Sequence, residues 1–133
     1  MFPYWNYSTF LIDGHECKKI QIDFKNQQAH ARLSELYMGT YELSDHQENG
    51  KPTWYSVTSS IYYTDWNRWL IRKNKYNDLK TNQDGDISTY KVLELPTQSK
   101  VNWVFYNEGS DKADKWQPID QDISLKCTGN TWF

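Results

Sequence analysis

The sequence predicts an all-β domain, built as an antiparallel sandwich or a flattened small barrel. Several short segments alternate apolar and polar residues with a period of two, most clearly at residues 20–24. Turn signals separate these segments at intervals of roughly 8–12 residues, and the clearest is Asn49-Gly50, which tolerates the positive φ angles of a tight turn. No series of long helices alternates with the strands, which argues against a fold of β–α–β units.

The strand candidates follow one another along the chain and are rich in β-branched and aromatic residues. They are residues 20–24, 36–43, 53–57, 60–63, 66–72, 88–95, 101–106 and 123–127. Gly39, inside the second of them, indicates a bulge or a close backbone approach. Residues 28–36 are the helix candidate, because Ala29, Leu33 and Leu36 have helical spacing, although the second half also fits a strand.

Length and charge limit the class of protein. The 133 residues fit one domain, spanning 1–133, that can bury a core without metals. Fifteen Lys and Arg against seventeen Asp and Glu give a net charge of -2, which argues against nucleic acid or an anionic membrane surface as the partner. No apolar run is long enough to insert into a membrane, and residues 1–7 lack the pattern of a signal peptide.

Two cysteines lie near opposite ends of the chain. A Cys17–Cys127 bridge would tie the two ends together and contribute about 4–5 kcal/mol in the chain-entropy model. Domain termini often lie close together, which favours the bridge. Two independent buried thiols are the alternative.

Aromatic residues make up 17% of the chain, including seven Trp. A core of two packed layers absorbs about half of them, so the rest are expected to reach the surface. Trp69, Trp103 and Trp116 fall in or beside strand patterns and are predicted to fill the core. Adjacent strand residues face opposite sides, so an outward, ligand-binding cluster is predicted at Trp54, Tyr55, Tyr62, Tyr63 and Trp66. Outward rings that merely cover the hairpin are the alternative.

Other chemistry is weakly indicated. Asn82, Asp84 and Asp86 place oxygen side chains at alternating positions, which suits calcium, although an ordinary Asp-Gly turn has the same sequence. The chain has no Gly-x-Ser-x-Gly nucleophile elbow and no Gly-rich phosphate loop. Paired carboxylates of a small hydrolase are candidates only by residue type. No catalytic residue and no cofactor other than calcium is therefore predicted.

The order of aromatic residues also carries a resemblance. Several short motifs follow one another along the chain. They are Gly39-x-Tyr41, Asn49-Gly50-x-Pro52-x-x-Tyr55, Ile61-Tyr62-Tyr63, Trp69-Leu70-Ile71, Trp103, Trp116 and Asp122-x-x-Leu125-x-Cys127. This order resembles a small aromatic-rich β module of extracellular multidomain animal proteins, and it covers roughly two-thirds of the chain. The sequence departs from that pattern at two places: Trp54 comes before Tyr55, and Leu70 lies within the Trp-Leu-Ile step.

The resemblance implies an extracellular or secreted β module that binds or links, and it supplies no active-site residues. Together with the aromatic excess, it predicts a non-catalytic module that binds a glycan or a protein. A self-associating structural or matrix module, with copies of the chain as partners, is the alternative. A small hydrolase is a further alternative.

Overall fold

Within the residues that the structure describes, one antiparallel sheet of ten strands curls into a half-barrel, with a short helix packed beside it. The computed structural model describes residues 11–12, 15–65, 67–74, 83–89, 96, 103–120 and 122–131. The predicted all-β, antiparallel class is therefore confirmed, in a barrel-like form rather than as two packed sheets.

The strands are arranged largely in sequence order. β2 pairs with β10, β1 and β3, and each later strand pairs with the next as far as β9. Their bounds, with those of the helix, are β1 Leu11–Ile12, β2 His15–Phe24, α1 Ala31–Tyr37, β3 Gly39–Glu48, β4 Lys51–Tyr55, β5 Ser59–Tyr63, β6 Trp69–Lys73, β7 Ile87–Thr89, β8 Trp103–Tyr106, β9 Trp116–Asp120 and β10 Ile123–Thr131. Short turns join β3 to β4 and β4 to β5, so hairpin geometry sets the register there, whereas the pairing of β2 with β10 joins segments far apart in sequence.

The β3–β4 turn shows that geometry directly. Asn49 and Gly50 have φ angles of 54° and 78°, and Glu48 pairs with Lys51 on either side of them. Two consecutive positive φ angles match the right-handed twist of a hairpin. The Asn-Gly turn predicted from the sequence is therefore confirmed.

The concave face of the half-barrel holds an aromatic core. Ring centroids of Trp54 and Trp69 lie 5.9 Å apart, and those of Tyr63 and Trp69 lie 5.2 Å apart in an edge-to-face contact. Such contacts add to the area that the rings bury. Trp69 and Trp103 are 0% and 3% exposed, as predicted, whereas Trp116 is only half-buried.

The middle of the sheet is buried on both faces. Every residue of β5 and β7 is buried, so alternate side chains on both sides are hidden from water. On β6 this includes Arg72, which is 0% exposed. Its guanidinium donates through Nε to both carboxylate oxygens of Asp86 at 3.1 Å and through Nη2 to Oδ2 at 2.6 Å. Burial raises the pKa of the Asp86 carboxyl, and the hydrogen bonds from Arg72 offset only part of that effect.

The helix α1 occupies nearly the place predicted for it. It spans Ala31–Tyr37, against the predicted 28–36. Leu33 and Tyr37, one turn apart, are buried in the core, and the carbonyl of Tyr37 accepts a hydrogen bond of 2.8 Å from the hydroxyl of Tyr41. Tertiary packing therefore holds a helix too short to be stable alone.

A disulfide joins β2 to β10. Cys17 and Cys127 are bonded, their Cα atoms lie 5.7 Å apart, and 110 positions separate them in sequence. The predicted bridge is confirmed, and it staples two adjacent strands. Among the described residues, no helix is long and apolar enough to cross a membrane.

Candidate functional site

Three of the five predicted ligand-binding rings are buried. Trp54 is 1% exposed, Tyr62 is 6% and Tyr63 is 5%. The expectation that these rings face outward is wrong, because Trp54 and Tyr63 lie in the hydrophobic core and Tyr62 belongs to β5, all of whose residues are buried. The indole Nε1–H of Trp54 donates to the carbonyl of Cys17 at 3.1 Å, which fixes that ring in the core. Trp66 lies outside the described residues.

Tyr55 is the predicted ring that does reach the surface. It ends β4 on the convex face, is 39% exposed, and pairs across strands with Glu42 of β3. It also lines an open depression of about 510 Å³. We call this depression the Tyr55 groove; its lining residues are Thr40, Glu42, Leu43, Ser44, Tyr55, Ser56 and Val57.

The hydroxyl groups of the Tyr55 groove are used within the protein. Thr40 Oγ1 donates to Gln21 Oε1 at 2.6 Å. Ser44 Oγ accepts the amide N–H of His46 at 2.9 Å, and Ser56 Oγ accepts that of Ser59 at 3.1 Å. The groove offers a ligand apolar surface, the carboxylate of Glu42, the phenol of Tyr55 and the hydrogen-bonding capacity that these internal bonds leave unused.

One further exposed apolar side chain, that of Val57, lines the groove with the ring. Within the part of the chain that the structure describes, the exposed large hydrophobic residues are Met38 at 41%, Tyr55 at 39% and Val57 at 98%. Val57 is in the β4–β5 turn, closed by a hydrogen bond of 2.8 Å from the amide of Ser56 to the carbonyl of Ser59. Met38 immediately precedes β3, two residues before Thr40. Exposed apolar residues that gather at one place mark interaction sites, whereas isolated ones do not.

Two carboxylates lie near the Tyr55 ring: Glu48, which His46 Nε2 contacts at 2.7 Å, and Glu42, whose cross-strand neighbour on β2 is Lys19. Burial, and then the negative charge of Glu48, raise the pKa of the Tyr55 phenol. The phenol therefore stays neutral at physiological pH and can donate a hydrogen bond. Glu42, in the groove itself, adds a second carboxylate near the ring.

A second concavity lies between the start of α1 and the end of β8. It has a volume of about 190 Å³. We call it the α1–β8 pocket; its lining residues are Ala29, His30, Ala31, Arg32, Leu33, Asp84, Gly85, Phe105, Tyr106 and Asn107. Of these, Asp84 was predicted as a calcium ligand, and none of the others was predicted as a site residue.

The carboxylates predicted to bind calcium have arginine partners. Asp84 forms an ion pair with Arg32 and accepts the amide N–H of Glu108 at 2.9 Å, while Asp86 is held by Arg72. Burial alone would raise the pKa of Asp84, but the Glu108 amide and Arg32 lower it overall. No group of three or more His, Cys, Asp or Glu in the described residues is placed to hold a metal. Asn82 lies outside them, and the calcium site stays a prediction.

Sequence reasoning missed the neighbours of Tyr55. Val57 was predicted to end the strand 53–57, whereas β4 ends at Tyr55 and Val57 lies in the turn that follows. Its position between Ser56 and Thr58 is a turn-like context for an apolar residue, and that was the available signal. Met38 carried none, because an apolar residue before Gly39 also fits a buried strand.

Comparisons of the chain with known protein families, curated proteins and solved structures find no match.

Proposed function

We propose that the protein is a non-catalytic binding module that recognises a protein ligand through the Tyr55 groove. The observation that carries the proposal is that the exposed ring of Tyr55 and the exposed side chain of Val57 line the same open depression on the convex face. Tyrosine is enriched among the residues that dominate binding energy, because it gives a large contact area with few rotatable bonds.

The chemistry of the groove favours a protein over a glycan. A sugar needs several hydrogen-bond partners for its hydroxyl groups, and Thr40, Ser44 and Ser56 each already use part of their hydrogen-bonding capacity internally. A protein side chain instead gains from the apolar surface of Tyr55 and Val57. The acidic residues Glu42 and Glu48 complement a basic neighbour. We therefore expect the ligand to present an apolar side chain next to Lys or Arg.

The disulfide supports placing this module outside the cell. Disulfides persist in oxidising compartments and are rare in the cytosol. The Cys17–Cys127 bridge is compatible with a secreted or extracellular protein. An extracellular location is accordingly part of the proposal.

The test is a selection of random displayed peptides on the intact, oxidised protein, with counter-selection on the Tyr55→Ala variant. The proposal predicts enriched peptides with an aromatic or aliphatic residue beside Lys or Arg. In NMR titrations these peptides should shift the amide signals of residues 40–44 and 55–57. Peptides that bind Tyr55→Ala equally well, or that shift signals elsewhere, would refute the site.

Charge variants test the expected ligand chemistry. Glu42→Lys should weaken the selected peptides by about five- to tenfold, because it places a cation opposite their basic residue. Asp111→Lys makes the same charge change at an exposed residue of the β8–β9 connection and should leave binding unchanged. Light scattering at two concentrations addresses the alternative: a dimer that Tyr55→Ala dissolves would make a second copy the ligand of this groove.

A further inference from the structure

The α1–β8 pocket is held open by contacts on both sides of it. On one side, Arg32 of α1 forms an ion pair with Asp84 in the turn before β7. On the other, Nε2 of His30 lies 3.1 Å from Oδ2 of Asp122, between β9 and β10. Both contacts join the start of the helix to the sheet, so they fix the width of the pocket without closing it.

The turn beneath the pocket depends on a glycine. Gly85 has a φ of +89°, a conformation that L side chains rarely adopt. Its amide donates to the carbonyl of Tyr106 at 2.8 Å, which joins the floor of the pocket to β8. The helix, the turn and the strand are thus connected around one cavity, as expected of a preformed site.

The size of the cavity restricts its occupant. The cavity volume of about 190 Å³ is more than ten times the roughly 10–15 Å³ that a single water needs. It is also below the roughly 300–1,000 Å³ of pockets that take drug-sized ligands. A single small ring of ligand fits, and an extended chain does not.

The lining has an apolar and a polar part. The apolar part consists of the Phe105 ring with Leu33, Ala29 and Ala31, and the Phe105 and His30 rings meet edge to face with their centroids 6.1 Å apart. The polar part consists of planar groups, namely the guanidinium of Arg32, the carboxylate of Asp84 and the amide of Asn107. This combination suits a ligand with one apolar face and several hydrogen-bonding groups.

The charges in the pocket are already paired. Arg32 neutralises Asp84, so a charged ligand would have to compete with that ion pair. A neutral ligand does not, and it gains charge-assisted hydrogen bonds from the remaining N–H groups of Arg32 and lone pairs of Asp84. Asn107, whose Nδ2 donates to Gln117 Oε1 at 3.2 Å, adds Oδ1 as an acceptor.

We propose that the α1–β8 pocket binds one neutral pyranose unit, with the apolar face of the sugar on Phe105 and its hydroxyl groups on Arg32, Asp84 and Asn107. This is a second site, separate from the Tyr55 groove, and it does not rest on the function proposed there. The module would then hold a protein ligand on its convex face and a sugar unit beside its helix.

The experiment is an NMR titration of the isotope-labelled, oxidised protein with methyl glucosides, galactosides, mannosides and N-acetylglucosaminides, and with methyl glucuronide as the charged probe. At least one neutral pyranoside should shift the amide signals of residues 30–33, 85 and 105–107, with a dissociation constant in the millimolar range expected for so small a ligand. No shift of these signals by any pyranoside would overturn the proposal. Binding of the glucuronide alone would overturn the neutral class of ligand.

Two variants test which side chains contact the pyranoside. Arg32→Gln removes a guanidinium that is 62% exposed and should weaken the pyranoside about tenfold while the protein stays folded. Phe105→Leu keeps an apolar wall but removes the aromatic face, and it should weaken binding by about fivefold. Pyranoside affinity that neither variant changes would contradict the proposal. Tyr55→Ala should leave it intact, so the two sites can fail separately.

Discussion

The buried ion pair between Arg72 and Asp86 allows a direct test of whether the middle of the sheet is buried on both faces. Both residues are essentially inaccessible, at 0% and 1% exposed, and the guanidinium meets both carboxylate oxygens. Removing one partner leaves the other charge buried without its counter-charge, which costs about 3–5 kcal/mol. Removing both leaves no such charge. The two single variants and the double variant therefore separate the cost of an orphaned charge from the net contribution of the pair.

We expect Arg72→Met and Asp86→Asn each to lower the free energy of unfolding by about 3–5 kcal/mol, out of about 5–15 kcal/mol for a typical domain. The melting temperature should fall by roughly 10–20 °C. The double variant should stay within about 2 kcal/mol of the wild type, because well-packed uncharged replacements of a buried pair are often neutral.

Urea denaturation followed by circular dichroism measures these differences. Glu42→Gln, which removes a carboxylate from an exposed position of β3, is the control and should change stability by less than about 0.5 kcal/mol. If the single effects simply add in the double variant, then the two charges do not depend on each other and the reasoning fails.

Three further predictions concern the bridge and the titrating groups. Replacing Cys17 and Cys127 together by Ala should lower the free energy of unfolding by about 5 kcal/mol, the chain-entropy value for a separation of 110 residues, and an unchanged urea midpoint would contradict the bridge. Burial raises the pKa values of Tyr41 and Tyr62 to about 12, so the stability that their neutral phenols contribute should be fully present below pH 10 and fall as the pH rises towards 12. A spectrophotometric titration in which both phenols ionise at pH 10 would contradict their burial. The pKa of Asp84 is lowered, so the stability that its ionised carboxylate contributes should be present above pH 3.8 and disappear as the pH falls further. When stability is measured against pH in acid, Asp84→Asn should lack this loss of stability, and identical stability curves for the two proteins would argue against the Arg32 pair.

Much of the fold followed from local signals in the sequence. The Asn49-Gly50 turn, the period-two pattern of β2 and the helix near residues 28–36 are each set by interactions between near neighbours. The bridge followed from cysteine positions beside two strands. These features depend little on what lies on the far side of the sheet.

The exposure of the central rings could not be predicted in the same way. Alternation places neighbours such as Tyr62 and Tyr63 on opposite faces, but it does not tell whether a face is covered. Both are buried here because the centre of the sheet is covered on each side. A strand buried on both faces lacks the alternation that sequence analysis uses.

Trp54 shows a second limit. Its neighbour Tyr55 has similar character, so the sequence alone does not indicate which of the two faces the core. The register of β4 against β3 decides, since Leu43 pairs with Trp54 on the inside and Glu42 with Tyr55 on the outside. A shift of one residue would have exchanged their roles. Tertiary contacts likewise decide which arginine pairs with Asp84 and which pairs with Asp86.

The central claim is that, of the predicted rings described here, Tyr55 is the one whose face is available for binding, and that it carries the interaction with a protein ligand. The most direct measurement is the dissociation constant of the tightest selected peptide for the wild type, Tyr55→Phe and Tyr55→Ala. Loss of a dominant contact of about 2 kcal/mol predicts an affinity about 30-fold weaker for Tyr55→Ala and little changed for Tyr55→Phe. Equal affinity for all three proteins would contradict the claim.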